Sequence, residues 1–221
     1  MNQDAIRAFL EGYQGKLNRT IIIVDFSNVS KWNEGRVSLG WDVGIPQLAK
    51  LVKKFSSGNQ GLRGFYYGSD FSQNAKSTTL TEWCAQMLQH AQYSNFHIET
   101  KRVKYIVDST QPSGYRKKCD MDVEMTIDLI KMQDQYDNVV LFSGDGDLVC
   151  TLQYLRDQFS KKEFYVFAAR GHIGSEVIDA EASGLIKQIF YAEDFEYRLS
   201  RTYGRIAPKP VSGRFRGPWR S

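Results

Sequence analysis

Cysteine and histidine are scarce in this chain, with three of each among 221 residues. Cys84, Cys119 and Cys150 lie far apart and in no metal-ligand spacing, which argues for reduced thiols and against a disulfide framework. Without paired histidine spacing a zinc site has no ligand set. Long apolar runs are also absent. The first twenty residues, MNQDAIRAFLEGYQGKLNRT, lack the apolar core of a secretory signal, and no stretch is long enough to span a bilayer. The expectation is a soluble, cytoplasmic protein with no membrane partner. Two phosphate-binding loops are missing as well: there is no Gly-rich Lys-Ser/Thr loop, and no G-x-G-x-x-G follows the first strand.

Charge is unevenly spread. The formal net charge is +4, but Arg198, Arg201, Arg205, Lys209, Arg214, Arg216 and Arg220 place seven cations in residues 198–221 without a single acid. The remainder therefore carries −3. A mildly acidic body with a basic end suits a polyanionic partner. Three of the five prolines and several glycines also fall in that end. We expect a leading helix in residues 1–19, one domain over 20–197 and a basic, flexible tail over 198–221.

Periodicity organises the body. Helical spacing marks Asp4–Lys16, Ile45–Phe55, Thr79–Gln92, Asp120–Gln135, Leu148–Phe159 and a short Ser175–Ala180. The β-branched or continuous apolar runs Ile21–Val24, Leu62–Tyr67, Val139–Phe142, Glu163–Ala168 and Leu185–Tyr191 read as buried strands. Alternation over Phe96–Val107 reads as a strand or hairpin. Strands separated by helices predict an α/β fold: a three-layer, mostly parallel, doubly wound sheet with helices on both faces.

Acids collect where such a sheet binds ligands. Val139–Phe142 ends in Ser143-Gly144-Asp145-Gly146-Asp147, two carboxylates one glycine apart at the carboxyl end of a strand. A solvated Asp-Gly turn is the competing reading. Asp25 ends the first strand with Asn28 three residues on, a pairing that an Asx cap would also explain. In the helix over Asp120–Gln135, Met121, Met125, Leu129 and Met132 share one face at roughly 100° per residue, and Val123, Ile127 and Ile130 widen it. Asp120, Glu124 and Lys131 fall on the opposite, solvated side. Asp122 falls inside the apolar arc, where a lone carboxylate needs a cation or several donors, unless it is a helix N-cap. If the first and central strands are neighbours, Asp25, Asp122, Asp145 and Asp147 converge. That cage suits one or two Mg²⁺ or Mn²⁺ ions and in-line hydrolysis of a phosphodiester.

This pattern resembles the NYN family, a PIN-like group of metal-dependent ribonucleases that includes LabA-type proteins. The resemblance rests on Asp25-Phe26-Ser27-Asn28, on Lys117-Lys118 before Asp122-Val123 with Asp128 six residues on, on Ser143 to Leu148, and on Gly174-Ser175 opening a late helix. It implies Asp25, Asp122, Asp145 and Asp147 as metal ligands or their supports. It also implies that Asn28 and Ser143 orient water or phosphate and that Lys118 or Lys117 contacts phosphate. The chain departs from the family at Glu181-Ala182-Ser183, where relatives often carry Ala-Asp.

A substrate wall is also legible. Arg116, Lys117 and Lys118 precede the central helix, Arg102 and Lys104 alternate before them, and Tyr105 and Tyr115 interleave as stacking surfaces. Trp32 and Trp41 are either further platforms or core. The expectation is an endoribonuclease acting on single-stranded or structured RNA, with a non-catalytic RNA-binding or regulatory module as the alternative.

Overall fold

Ile21–Val24 lies at the centre of a six-stranded sheet in the computed structural model, which describes residues 3–13, 17, 19–55, 62–72, 77–159 and 161–202. Helix α1 (Gln3–Tyr13) leads into strand β1 (Thr20–Asp25), a single helical turn α2 (Phe26–Val29) and helix α3 (Ile45–Phe55). Strand β2 (Leu62–Ser69), helix α4 (Glu82–Tyr93) and strand β3 (His97–Arg102) complete the first half. A hairpin of β4 (Lys104–Val107) and β5 (Tyr115–Lys118) follows, then helix α5 (Asp122–Lys131), strand β6 (Asn138–Phe142) and helix α6 (Val149–Gln158). Strand β7 (Glu163–Ala168), helix α7 (Ser175–Ala182), strand β8 (Ile186–Tyr191) and the short helix α8 (Glu196–Leu199) end the described chain.

All five pairings within the large sheet are parallel, in the order β3-β2-β1-β6-β7-β8. The winding reverses between β1 and β6, the place where a doubly wound sheet opens a crevice at its strand ends. Alternation in β1 explains the two covering layers. Ile22 and Val24 pack in the layer of Leu48, Val52 and Phe55 from α3 and Met87 and Ala91 from α4. Ile21 and Ile23 pack in the other, with Met125 and Leu129 from α5 and Leu152 and Leu155 from α6. Every residue of β1 and β6 is buried, as expected for strands covered on both sides.

The predicted three-layer fold is therefore the one formed, with local corrections. Phe96–Val107 is one strand of the large sheet and then half of a separate hairpin, because the chain turns away at Val103 and Lys104–Val107 pairs antiparallel with Tyr115–Lys118. The seam of α5 is narrower than its apolar content implied: Met121, Met125 and Leu129 are buried, whereas Val123 is 62% and Ile127 42% exposed. Trp32 is fully buried and belongs to the core, while Trp41 is half-buried at its margin. Residues 198–202 pack on the body, with Leu199 buried, Ser200 bridging Val43 and Arg201 N–H donating to the Asp42 carbonyl. The tail after residue 202, and the end of the expected leading helix after residue 13, lie outside the described residues. No helix among the described residues is long and apolar enough to cross a membrane.

Asp128, the border residue of α5, serves the fold. The hydroxyl of Tyr66 in β2, buried beneath α5, donates to its Oδ2 at 2.7 Å. Tyr66→Phe leaves that half-buried carboxylate one donor short, and we expect it to lower unfolding stability by about 1–3 kcal/mol. Urea denaturation read by circular dichroism checks this, and an unchanged midpoint would remove Asp128 from the fold's hydrogen-bond framework.

Candidate active site

The reversal point brings two strand ends side by side. Val24 pairs with Phe142, so Asp25 and Ser143 leave β1 and β6 at the same level. Asp25 caps α2, its Oδ1 accepting from Asn28 N–H at 3.1 Å, and its Oδ2 accepts from the Ser143 hydroxyl at 3.0 Å. Ser143 Oγ in turn accepts from Asp145 N–H at 3.2 Å. The Asp145 carboxylate accepts from Asp147 N–H at 3.2 Å, which folds Gly146–Leu148 into the 3₁₀ turn that opens α6.

Asn28 adds a second stitch. Its side-chain carbonyl accepts from the Trp32 indole at 2.8 Å and from Gly144 N–H at 3.1 Å. The Gly144 carbonyl then accepts from Gly174 N–H at 2.8 Å, tying the loop to the start of α7. Gly144 has no room for a side chain, since a Cβ there would land on the His172 carbonyl oxygen. Glu176 of α7 presses on Gly146, with Oε2 2.7 Å from where its Cβ would stand.

Asp122 enters from the third direction as the first residue of α5. The helical-wheel reading placed Asp120 on a solvated face, but the helix begins only at Asp122, so the wheel does not apply to Asp120. Asp120 is nevertheless exposed, as expected; it accepts from Asp122 N–H at 3.3 Å and lines the same cavity. Asp122 is half-buried at the helix start rather than on the buried seam. Asp122, Asp145 and Asp147 each offer an oxygen lying within 4.8 Å of the others. Asp25 stays outside that trio as the buried floor, both of its oxygens already accepting hydrogen bonds.

The electrostatics follow from this crowding. Burial pushes the Asp25 carboxyl up to about 6, opposed by its bonds from Asn28 and Ser143 and reinforced by the charge of Asp145. Burial also pushes Asp122 up to about 7, helped by the hydrogen bond its protonated form gives Asp120 and by the charges of Asp120, Asp145 and Asp25. Asp25 and Asp122 thus hold protons in the range where an unpaired carboxylate in water has lost its own.

A basic wall faces them. Arg116, Lys117 and Lys118 of β5, with Lys31 after α2, line a cavity of 320 Å³ together with the acids. Across the hairpin Lys104 lies opposite Lys118, Tyr105 opposite Lys117 and Ile106 opposite Arg116. Lys117 Nζ sits 2.8 Å from Asp70 Oδ2, and the Tyr105 hydroxyl donates to Asp70 Oδ1 at 2.6 Å, which moors the hairpin to the sheet. Lys31, Asp70 and Asp120 escaped the sequence reading. Only the Asp120-x-Asp122 spacing carried a signal. Glu181, at the point of departure from the family pattern, is structural: its Oε1 accepts from Ile189 N–H at 2.6 Å.

Comparison with known proteins agrees with this architecture. A protein of unknown function from Vibrio parahaemolyticus superposes with a TM-score of 0.54 at 19% identity, covering 79% of this chain and 92% of that one, a likeness of fold alone. The Low amplitude and bright protein LabA of Synechococcus elongatus is 32% identical over 85 residues. That match covers 38% of this chain and 45% of LabA, so the chain spans less than half the length of this relative. The family model described as NYN domain matches residues 19–187, well over half of the sequence and both halves of the sheet. With its strand order, its reversal-point acids and that match, the chain belongs to the NYN domain family.

Proposed function

We propose that this chain is a metal-dependent endoribonuclease, hydrolysing phosphodiester bonds of RNA in the cavity between the acids and β5. The observation that carries this reading is the three-carboxylate cluster of Asp122, Asp145 and Asp147 at the reversal point, facing a wall of cations. These are hard oxygen donors on one open side of the cavity, a set that suits Mg²⁺ or Mn²⁺. Such an ion would relieve the mutual repulsion that raises Asp122 and would supply Lewis acidity toward a phosphodiester and its attacking water.

The chain's own groups then have separate tasks. Asp122, Asp145 and Asp147 would hold the ion. Asp25, through Ser143, fixes the loop that presents Asp145 and Asp147, and Asn28 fixes the same loop through Gly144. Ser143 is fully buried and acts as a positioning residue rather than as a contact to water; the Asn28 carbonyl is engaged twice, while Asn28 still lines the cavity. Arg116 and Lys118 are exposed on the hairpin and would hold the strand's phosphates. Attack of water at phosphorus breaks one P–O bond to ribose, leaving a phosphomonoester and a hydroxyl.

Removing one ligand should cost several kcal/mol at the transition state, about 10²-fold or more in rate. We expect labelled RNA oligomers to be cut with Mg²⁺ or Mn²⁺, spared with chelator, and spared by Asp145→Asn. Equal cleavage by the variant would sink the site assignment, and RNA retention without cleavage by the unaltered chain would leave a binding module.

Folding also responds to the acids. Asp25 and Asp122 bind protons more tightly folded than unfolded, so the folded chain holds extra protons between about pH 4 and pH 7. Their contribution is therefore most favourable at the acid end and is lost as pH rises. The metal-free chain should melt at a lower Tm at pH 8 than at pH 5, and Mg²⁺ should raise the Tm at pH 8 more than at pH 5. A Tm insensitive to Mg²⁺ at pH 8 would contradict a cation on these carboxylates.

The cations have their own test. Each of Arg116→Ala and Lys118→Ala should flatten the slope of log K against log salt by about 0.7 for single-stranded RNA, with little sequence dependence. Unchanged slopes would place the strand elsewhere.

A further inference from the structure

The acidic cavity does not end at its carboxylates. It shares Ser27, Lys31, Lys117 and Cys119 with a neighbouring cavity of 510 Å³. That one in turn shares Ser30, Asn33, Asp42 and Trp83 with a third, of 120 Å³. The three cavities are thus neighbours along one face, with lysines between the first two and an indole between the last two. Trp41 and Trp83 both line the last cavity. Trp83 is 49% exposed, a large apolar surface left in water. Its side chain lies within hydrogen-bonding reach of the Tyr67 side chain. Gln47 and His90 bring side-chain hydrogen-bonding groups to the same walls, and Asn33 Nδ2 donates to Asp42 Oδ1 at 3.0 Å on the rim.

Indole faces beside polar edge groups suit a heterocycle. Unpaired bases stack on aromatic side chains, whereas phosphates want the cations between the first two cavities. Size narrows the class. A closed cavity of about 150 Å³ accepts benzene, so 120 Å³ is nearer the size of one six-membered ring than of a fused pair. We propose that the Trp41–Trp83 pocket is a pyrimidine subsite. It receives an unpaired pyrimidine of the strand whose phosphodiester lies at the acids, while the intervening backbone crosses Lys31 and Lys117. The proposal rests on the nucleic-acid reading of the acidic cavity and adds base selectivity to it.

The test uses the full chain carrying Asp145→Asn, so that binding is measured without turnover, with labelled hexauridylate and hexaadenylate in Mg²⁺. Hexauridylate should bind more tightly and quench indole fluorescence, a readout needing no change in the pocket. Adding Trp83→Ala should weaken hexauridylate binding about 5- to 150-fold, the worth of one stacked base, and erase the preference. Trp83→Phe should recover most of the affinity, and Trp41→Ala should repeat the loss if Trp83→Ala fails to fold. Preference for hexaadenylate, or unchanged affinity in folded Trp83→Ala, overturns the subsite. Should the unaltered chain cut RNA while Trp83→Ala binds normally, the subsite falls and the nuclease stands. If Trp83-dependent hexauridylate binding occurs without any cleavage, the subsite stands and the hydrolase reading falls.

Discussion

One hydroxyl holds the site together. Ser143 donates to Asp25 at the end of β1 and accepts from the backbone of Asp145 just beyond β6. Those two strands are neighbours in space but more than a hundred residues apart in sequence, and the sheet reverses its winding between them. The buried Ile21–Val24 and Val139–Phe142 runs fix how far each strand reaches, and the hydroxyl then locks their ends at one height. Asn28 repeats the device one layer out, joining Trp32 and Gly144. Carboxylates that repel each other stay close because the backbone beneath them has no freedom to part.

Strands covered on both faces announce themselves as apolar runs, so β1, β6 and β7 were legible within a residue or two, and the parallel sheet followed from their alternation with helices. Asp25, Asp145 and Asp147 were legible for the same reason, since a carboxylate ending such a run has only one place to be. Asp122 was found by a partly mistaken route. The wheel assumed a helix from Asp120, whereas helix starts depend on loop contacts that periodicity does not encode. Asp120 is exposed, as the wheel expects, although it precedes the helix. The β4–β5 hairpin was half legible, because its strands lie outside the sheet and are exposed on nearly every residue, leaving no buried face for the pattern to mark. Lys31 and Asp70 gave no signal. Their importance comes from the packing of the hairpin against β2, a long-range event.

Opposite charges are kept on different kinds of support. The acids sit at the ends of buried strands and at the first turns of helices, where burial raises Asp25 and Asp122 and leaves little play. The cations sit on a two-stranded ribbon tethered to the sheet by Lys117 and Tyr105 on Asp70. Repulsion among the acids is large because their surroundings are partly dry, and attraction to the cations is gentler because water reaches Arg116 and Lys118. An anion is thus drawn in by the wet wall and meets the carboxylates only at close range.

The ribbon leaves the large sheet after β3 and returns before α5, so none of its residues takes part in the six-stranded register. Lengthening, shortening or recolouring it with other side chains would leave the register of the strands that carry the acids unchanged. The molecule thus separates a buried acidic floor from an exposed basic ribbon: the ribbon's seven loop residues and eight strand residues can change without rebuilding the sheet that carries the carboxylates.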